Sequence, residues 1–504
     1  MNKTRFKSLL TLLLLFTCQS LFSQDSTKIK LHRADVSEYD AKYAKAQRLL
    51  GDVMFEHKGA VMYCDSAWLY EEDNLMKAFG KVRVIQGDSI YLDAERLIYY
   101  GDSSLAELFE DIRLRDNEMT LTTDYLKYNT DTKVGTYFNG GKIVSSKNNN
   151  VLTSEQGSYF ATNKSLHFKD SVLLVNPEYT MDTDTLQYYM NSEQAFFFGP
   201  TTINSDEDLI YCENGWYDTM NDLAQFNKDA YLWSDGQQLL GDSLYYDRNL
   251  AFGEAFGNVS VIDTVNEFSI YGDYGKHLEK TNKSFVTGMA LFQQFTEGDT
   301  LHMHADTLYS VPDTLQKKNI LAYPRVKFYK NDMQGACDSL SFSERDSLLE
   351  MFRDPVIWSD ENQITGRKIE IKSFDGQIGK LFCKGNAFMI SEVDTAHYNQ
   401  LKGKNLIGYF KDNELHKVDI IGNGESIYFA TDDKDGSFIG VNKSTCTDIT
   451  VYIEDRAVTS VNFKIQPASS FYPLDQISKE KLKLKKFKWE MDRRPLTPND
   501  IFKD

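Results

Sequence analysis

The side chains with the clearest potential for metal chemistry are His302 and His304. In a β-strand the two imidazoles project from one face, while Met303 between them projects from the other face. Imidazole is a common metal ligand, but we favour a solvated pair. We therefore predict no metal site and no cofactor.

Acidic residues that could act as general acids or bases recur along the chain instead of forming one pair. A catalytic dyad is one special pair of carboxylates, whereas a series of similar residues indicates architecture. The sequence contains no nucleophile elbow and no P-loop. We therefore predict that the protein is not an enzyme. The recurring acids are Asp65, Glu95, Asp124, Asp184, Asp242, Asp306 and Asp338.

These acids mark a sequence repeat. From Asp35 to Arg367 the marker positions follow one another at intervals of 29 to 33 residues, and a fixed period of this length is typical of repeat architectures. Looser copies carry another polar residue in the acidic position. The markers are Asp35, Asp65, Glu95, Asp124, Glu155, Asp184, Glu213, Asp242, Asp273, Asp306, Asp338, Arg367, Lys404 and Thr447.

Each repeat predicts strands with one apolar face. Apolar or small residues occupy positions −5, −3 and −1 before the marker and positions +2 and +4 after it, as with Leu92, Ala94, Leu97 and Tyr99 around Glu95. The alternation slips by one residue at the marker, which indicates a bulge or corner. We expect the marker carboxylate to accept hydrogen bonds from nearby backbone N–H groups.

The cysteines support the same pattern. Five follow residue 23, and all except Cys383 occupy the −1 position, which otherwise holds small residues. We therefore predict small buried residues and no disulfide framework. The four are Cys64, Cys212, Cys337 and Cys446.

The two ends of the chain differ from its repetitive centre. Residues 1–23 carry basic residues and then a short apolar run, the pattern of a secretory signal peptide. A bulky Phe16 precedes Cys18, which argues against lipidation of that cysteine. We assign residues 24–466 to one continuous repeat. Residues 467–504 form a basic tail, either solvated, capping the last sheet edge, or docking an acidic partner or lipid phosphates.

Composition excludes one class of partner. The net charge of −18 argues against nucleic acid, whose phosphates require a basic face. No apolar run after the signal peptide approaches the length of a membrane span.

The stretch from Gly51 to Tyr100 carries a family resemblance. The strand Phe79-Gly80-Lys81-Val82-Arg83-Val84 leads to a Gly-Asp turn and a strand that ends Ala94-Glu95-Arg96-Leu97-Ile98-Tyr99. This pattern resembles the OstA-like (organic solvent tolerance) family, the LptA-type proteins of lipopolysaccharide transport. The resemblance implies a periplasmic bridge whose antiparallel strands form a jelly roll with a groove for lipid acyl chains.

We accordingly predict an all-β protein, an elongated antiparallel β jelly roll of about thirteen repeats of about 30 residues. The expected partners are lipopolysaccharide and other lipopolysaccharide-transport proteins at the inner and outer membranes, with head-to-tail self-association and outer-membrane association as further options. The residues expected to line the groove are Val82, Val84, Ile90, Leu92, Leu97, Tyr99, Leu121, Leu126, Tyr128, Leu186, Tyr188, Leu244, Tyr246, Ile270, Met303, Leu308, Leu340 and Phe342.

Two alternatives stay open from the sequence. A β-helix enzyme acting on polysaccharide would need Asp, Arg, Lys or His clustered on one rung. A structural or adhesive solenoid would have an interior that is packed shut. The sequence leaves open whether the groove is accessible to lipid.

Overall fold

The computed structural model describes residues 28–39, 45–147, 150–206, 208–234, 236–296, 298–315, 317–374, 377–411, 414–432, 436–454 and 457–503. The predicted signal peptide, with Cys18, lies outside these ranges. The described residues form 36 β-strands and five short 3₁₀ helices, and they contain no α-helix. They divide into two compact units, one up to residue 206 with 218–220 and one comprising the rest.

Unit 1 contains strands of 4 to 12 residues that follow one another as antiparallel neighbours. They are β1 (Lys30–Arg33), β2 (Val36–Tyr39), β3 (Gln47–His57), β4 (Ala60–Tyr70), β5 (Leu75–Gln86), β6 (Ile90–Tyr100), β7 (Leu105–Arg115), β8 (Met119–Asn129), β9 (Val134–Tyr137), β10 (Gly141–Ser145), β11 (Val151–Ser154), β12 (Gln156–Phe160), β13 (Ser165–Val175), β14 (Thr180–Tyr189) and β15 (Gln194–Asn204).

Unit 2 contains the remaining strands, and its last long strands reach 14 to 18 residues. They are β16 (Asp208–Asp218), β17 (Leu223–Ser234), β18 (Gln237–Asp247), β19 (Phe252–Asp263), β20 (Phe268–Leu278), β21 (Lys283–Thr296), β22 (Asp299–Pro312), β23 (Lys318–Tyr323), β24 (Val326–Tyr329), β25 (Gln334–Cys337), β26 (Ser339–Ser343), β27 (Leu348–Phe352), β28 (Val356–Ser359), β29 (Asn362–Thr365), β30 (Lys368–Phe374), β31 (Gln377–Glu392), β32 (Tyr398–Lys411), β33 (Glu414–Thr431), β34 (Phe438–Glu454), β35 (Ala457–Lys464) and β36 (Ala468–Tyr472). The 3₁₀ helices are Glu279–Thr281, Leu474–Gln476, Lys479–Leu482, Met491–Arg493 and Pro498–Phe502.

Each long strand contributes its two halves to two different layers. In unit 1, residues 119–123 of β8 pair with β10, whereas residues 127–129 pair with β9. In unit 2, β22 pairs with β24 before its marker and with β23 after it. Layer A consists of the strand halves that precede a marker, together with the strands paired to them. Layer B consists of the halves that follow a marker, together with the strands paired to those. Every strand pairing described is antiparallel, so the predicted antiparallel β jelly roll is confirmed and the β-helix alternative is excluded.

The layers meet at corners, and the marker residues lie at these corners as the alternation predicts. On β4 the register shifts between Tyr63 and Ser66, opposite the left-handed pair Gly80 (φ +75°) and Lys81 (φ +45°) on β5. A Cβ on Gly80 would lie 2.9 Å from the Asp65 carboxylate. Glycine is therefore favoured there for its free positive φ and its small volume.

The partners of the marker carboxylates differ from the expectation. The carboxylate of several markers binds a side chain of the opposing corner, as in the 2.8 Å contact of Arg325 with Asp306 and the 3.1 Å contact of Arg353 with Asp338. The marker's own backbone N–H donates to a carbonyl of that opposing corner, from Asp338 to Arg353 over 3.2 Å, for example. The corner is thus closed by both strands, and the carboxylate faces outward.

The C-terminal segment, residues 473–503, covers the outer face of layer A in unit 2. Leu484 and Phe487 pack on Phe388 and Ile427, which project outward from β31 and β33. Met491 packs against Trp358 of β28 in the same way. Apolar burial therefore holds this segment against the sheet.

Candidate functional site

The inner faces of the two layers form the interior where the sequence predicts the groove. In unit 1 this interior is filled by side chains from both layers. The predicted groove residues of unit 1 are all buried except Tyr188, which is half-buried. The buried ones are Val82, Val84, Ile90, Leu92, Leu97, Tyr99, Leu121, Leu126, Tyr128 and Leu186.

Polar bridges also join the two layers of unit 1 at the rim, opposite the corners. Nδ1 of His57 in layer A lies 2.7 Å from Oη of Tyr99 in layer B, and Nζ of Lys58 lies 2.7 Å from the Asp131 carboxylate. Burial raises the pKa of Tyr99, so its phenol stays protonated at neutral pH. Further bridges join Tyr128 to Gln86, Tyr159 to Asp116, and Lys164 to Glu118.

In unit 2 the predicted groove residues face the interior between the two layers of that unit. Leu244 is buried and Tyr246 is half-buried, with its hydroxyl donating to Glu279 over 2.8 Å. Ile270 packs as a half-buried residue on a buried apolar cluster. Of the other predicted residues, Met303, Leu308 and Leu340 are buried in that cluster, and Phe342 is half-buried. That any of these residues binds lipid stays a prediction.

Toward the C-terminal end of unit 2, the interior opens into a cavity of about 990 Å³. This volume is at the upper end of the range usual for ligand pockets. Layer A contributes Met389 and Leu401 to its wall. Layer B contributes Leu415, Val418, Val451, Ile453, Val461 and Phe463. We call this space the terminal cavity.

The strand pattern explains where the terminal cavity lies. Residues 441–445 of β34 pair with β36, whereas residues 448–454 pair with β35. The two layers therefore end in separate strands, and the cavity lies between them. Charged lining residues such as Glu392, Glu414 and Glu454 come from the ends of strands at the rim, so an apolar wall adjoins a polar mouth.

None of the predicted groove residues lines the terminal cavity, so the sequence analysis missed its walls. The signal was present, because Leu401 occupies position −3 before Lys404 and Val451 occupies position +4 after Thr447. Applying the repeat rule to the last two markers would have identified both residues. Phe463 and Val461 have no marker of their own, and only the pairing of β35 with β34 reveals them.

The two histidines differ from the predicted solvated pair. His302 is half-buried, and its Nδ1 lies 3.0 Å from Nε2 of Gln293. His304 is buried, its Nδ1 lies 2.9 Å from the carbonyl oxygen of Ala290, and its ring packs on Phe502. Burial lowers the pKa of both imidazoles.

Two further observations concern metal ligands and membrane-spanning helices. The described residues contain no group of three or more His, Cys, Asp or Glu side chains placed to hold a metal ion. No helix within the described ranges has the length and apolar character needed to cross a membrane. The five cysteines within the described ranges are free. Of the four at the −1 position, Cys64, Cys212 and Cys337 are buried and Cys446 is half-buried, in agreement with the predicted small buried positions, and Cys383 is also buried.

The fold and the cavity define the class: an antiparallel β jelly roll with an apolar interior between two layers. Residues 26–184 match the family model of the OstA-like proteins, which confirms the resemblance found in the sequence for that part of the chain. The comparison with curated proteins gives no match. Among solved structures, the chain is similar to LptH, the LptA-homologous periplasmic component of the lipopolysaccharide transport device from Pseudomonas aeruginosa. The identity is 12%, the match covers 28% of this chain and 95% of that chain, and the TM-score is 0.22.

Proposed function

We propose that this protein is a non-enzymatic, periplasmic lipopolysaccharide-binding bridge that shelters acyl chains between its two layers on the way to the outer membrane. The observation that carries the proposal is the terminal cavity, which joins an apolar interior to a polar rim. Acyl chains would occupy the interior, while sugars and phosphates stay at the rim in water.

The driving force is the burial of apolar surface. Each Å² of acyl-chain surface that moves from water to an apolar wall stabilises the complex by roughly 25 cal/mol. Leu401 and Phe463 are half-buried and face the cavity, so part of their surface is available to a chain. Val418 and Met389 deeper in the wall are buried and extend the apolar lining toward the cluster that contains Met303 and Leu340.

The family match supports the same function. OstA-like proteins of the LptA type serve lipopolysaccharide transport, and the match lies in unit 1. Unit 1 is closed at its rim, so lipid would reach its inner face only after bridges such as Lys58–Asp131 separate. Exposed ion pairs of this kind contribute at most about 1 kcal/mol each. Opening of the rim would leave the strand pairing at the corners intact.

The ends of the sheet support head-to-tail assembly with a second copy or with other transport proteins. Short strands β1 and β2 pair only with β3 among the described strands. At the other end, β35 and β36 pair only with β34 within the described part of the chain. Each end thus presents one open strand edge per layer, and such edges pair readily with strands of another chain.

A crosslinking experiment tests the terminal cavity. A photo-reactive residue in place of Val461, which lines the cavity, should capture lipopolysaccharide, whereas the same residue in place of Asn462 should not. Asn462 is exposed and projects from the opposite face of β35. The two sites are adjacent in the chain, so expression and general reactivity are matched.

The same comparison at Leu244 and Tyr245 tests the interior further from the terminal cavity. Equal capture at both members of each pair would contradict the proposal. No capture at Val461, with an unchanged circular dichroism spectrum, would favour the structural solenoid, whose interior is packed shut as in unit 1.

A further inference from the structure

A second cavity, of about 1170 Å³, lies on the outside of unit 2 between layer A and the C-terminal segment. One wall is formed by corner residues such as Arg353 and Arg367, and the other by Lys485, Lys486 and Lys488. We call it the outer cavity. It is separate from the terminal cavity, because no residue lines both cavities.

The charge of the outer cavity is opposite to that of the chain. Its lining includes seven basic residues and only two acidic ones, in a protein of net charge −18. The basic ones are Arg353, Arg367, Lys402, Lys485, Lys486, Lys488 and Arg493, and the acidic ones are Asp354 and Glu490.

The charge of the marker residue in the repeat changes from negative to positive near the outer cavity. The corner marker is acidic at Asp306 and Asp338, but the next two markers are Arg367 and Lys404. Arg367 lines the outer cavity beside the basic C-terminal segment. The corner tolerates either sign because the marker side chain points outward, so structural need does not explain the exchange of acid for base.

Several of these cations have no carboxylate partner. Arg353, Lys402 and Arg493 form ion pairs with Asp338, Glu425 and Glu490. Lys488 forms a second ion pair with the Glu490 carboxylate at 3.1 Å. In contrast, Arg367, Lys485 and Lys486 have no carboxylate within 4.0 Å among the residues that the structure describes, and all three side chains are exposed. Their charge is therefore available to a ligand.

We propose that the outer cavity binds the phosphate groups of a phosphorylated lipid headgroup that carries at least two phosphate monoesters. Guanidinium and ammonium groups form strong charge-assisted hydrogen bonds with phosphate. The cavity is too large for one inorganic phosphate, and its unpaired cations lie on two walls. This inference rests on the proposed lipopolysaccharide binding. Because the outer cavity lies on the other side of layer A from the apolar interior, a headgroup bound there belongs to a different lipid molecule from one whose acyl chains occupy the terminal cavity.

Calorimetric titration of the mature full-length protein tests the inference. The probe is a deacylated glucosamine disaccharide with two phosphate monoesters, which has no acyl chain to enter the interior. The wild-type protein should bind it, and the double variant Lys485→Gln/Lys486→Gln should bind it about tenfold more weakly, the effect of removing two exposed ionic contacts. Arg367→Gln should weaken binding in the same direction from the opposite wall.

The matched control is Lys479→Gln/Lys481→Gln, which removes the same charge from the same segment but outside the outer cavity. Its affinity should stay within about twofold of the wild type, because exposed charges at a distance are screened by salt. An equal loss in the control would overturn the assignment, and so would equal binding of the dephosphorylated disaccharide. Inorganic phosphate binding as tightly as the disaccharide would overturn the headgroup assignment. Crosslinking at Val461 tests the interior independently, so either proposal can fail alone.

Discussion

The attachment of the C-terminal segment to layer A is the feature whose energy can be worked out most directly. Gln400 is 1% exposed, and its Nε2 donates to the carbonyl of Leu482 over 2.8 Å. The backbone N–H of Leu484 donates to Oε1 of the same amide, also over 2.8 Å. Gln363 makes the equivalent pair with Lys488 and Glu490, so buried amides act as clamps along the segment.

The substitution Gln400→Ala removes both hydrogen bonds to the C-terminal segment and leaves the buried Leu484 N–H without a partner. The bond to the Leu482 carbonyl contributes about 1 kcal/mol net, and leaving the buried Leu484 N–H unsatisfied costs about 1–3 kcal/mol, so the expected loss is about 2–4 kcal/mol. The loss should be local, because the segment is one covering element and the strand pairing beneath it is unchanged.

Hydrogen exchange measured by mass spectrometry checks this value. Protection of the amides around Leu484 should fall by about 30-fold or more, the factor that corresponds to about 2 kcal/mol, while amides of β33 keep theirs. The control is Gln377→Ala, since Gln377 is exposed in β31 of the same unit. Equal exchange in the wild type and Gln400→Ala, or equal effects of both variants, would refute the clamp.

Two further predictions concern buried titratable groups. Burial raises the thiol pKa of Cys64, Cys212 and Cys337 to about 12, so maleimide should modify them only after denaturation, and rapid labelling of the native protein would contradict the corner assignment. For His304, burial lowers the pKa from the usual 6.5, so the fold favours the neutral ring and loses stability as pH falls below 6.5 toward the folded-state pKa. Urea unfolding should show a smaller loss on acidification for His304→Gln than for the wild type, and an identical pH dependence would exclude this histidine as a cause.

The corner architecture could be predicted from the sequence because it depends on local alternation. Cys64 and Ala67 are buried on either side of the exposed Asp65, as the slip in the pattern requires. The hydrogen-bond partners of the markers could not be predicted, because they lie on the following strand. The left-handed pair at Gly80 and Lys81 becomes visible only when β4 and β5 are placed in register.

The packing of the C-terminal segment on layer A is reflected in the sequence of the strands beneath it, in a pattern other than period-2 alternation. Val356-Ile357-Trp358 and Phe388-Met389-Ile390 are continuous apolar runs, and all six side chains are buried. Continuous runs are typical of strands that are buried on both faces. What covers them could not be inferred from the runs, since Leu484 follows Phe388 by 96 residues and Met491 follows Trp358 by 133 residues.

The outer face of layer A is covered by the C-terminal segment in unit 2 but not in unit 1. This difference explains why the two layers can be separated by a cavity in unit 2, whereas in unit 1 they pack directly on each other. In unit 1 the outer face of layer A is polar, with exposed Arg83 and Arg113 and the half-buried Asp93 between them, so the inner core alone supplies apolar burial. In the later strands of unit 2, outer side chains of layer A such as Phe388 and Trp358 are buried by the C-terminal segment, and each such large side chain contributes about 1.5–3 kcal/mol. Layer A would therefore stay packed against the C-terminal segment on its outer face even if a ligand occupied the cavity on its inner face. Loss of the clamp at Gln400 should therefore weaken lipid capture at Val461 as well as protection of Leu484, because Val461 in layer B lines a cavity whose opposite wall is the covered layer A.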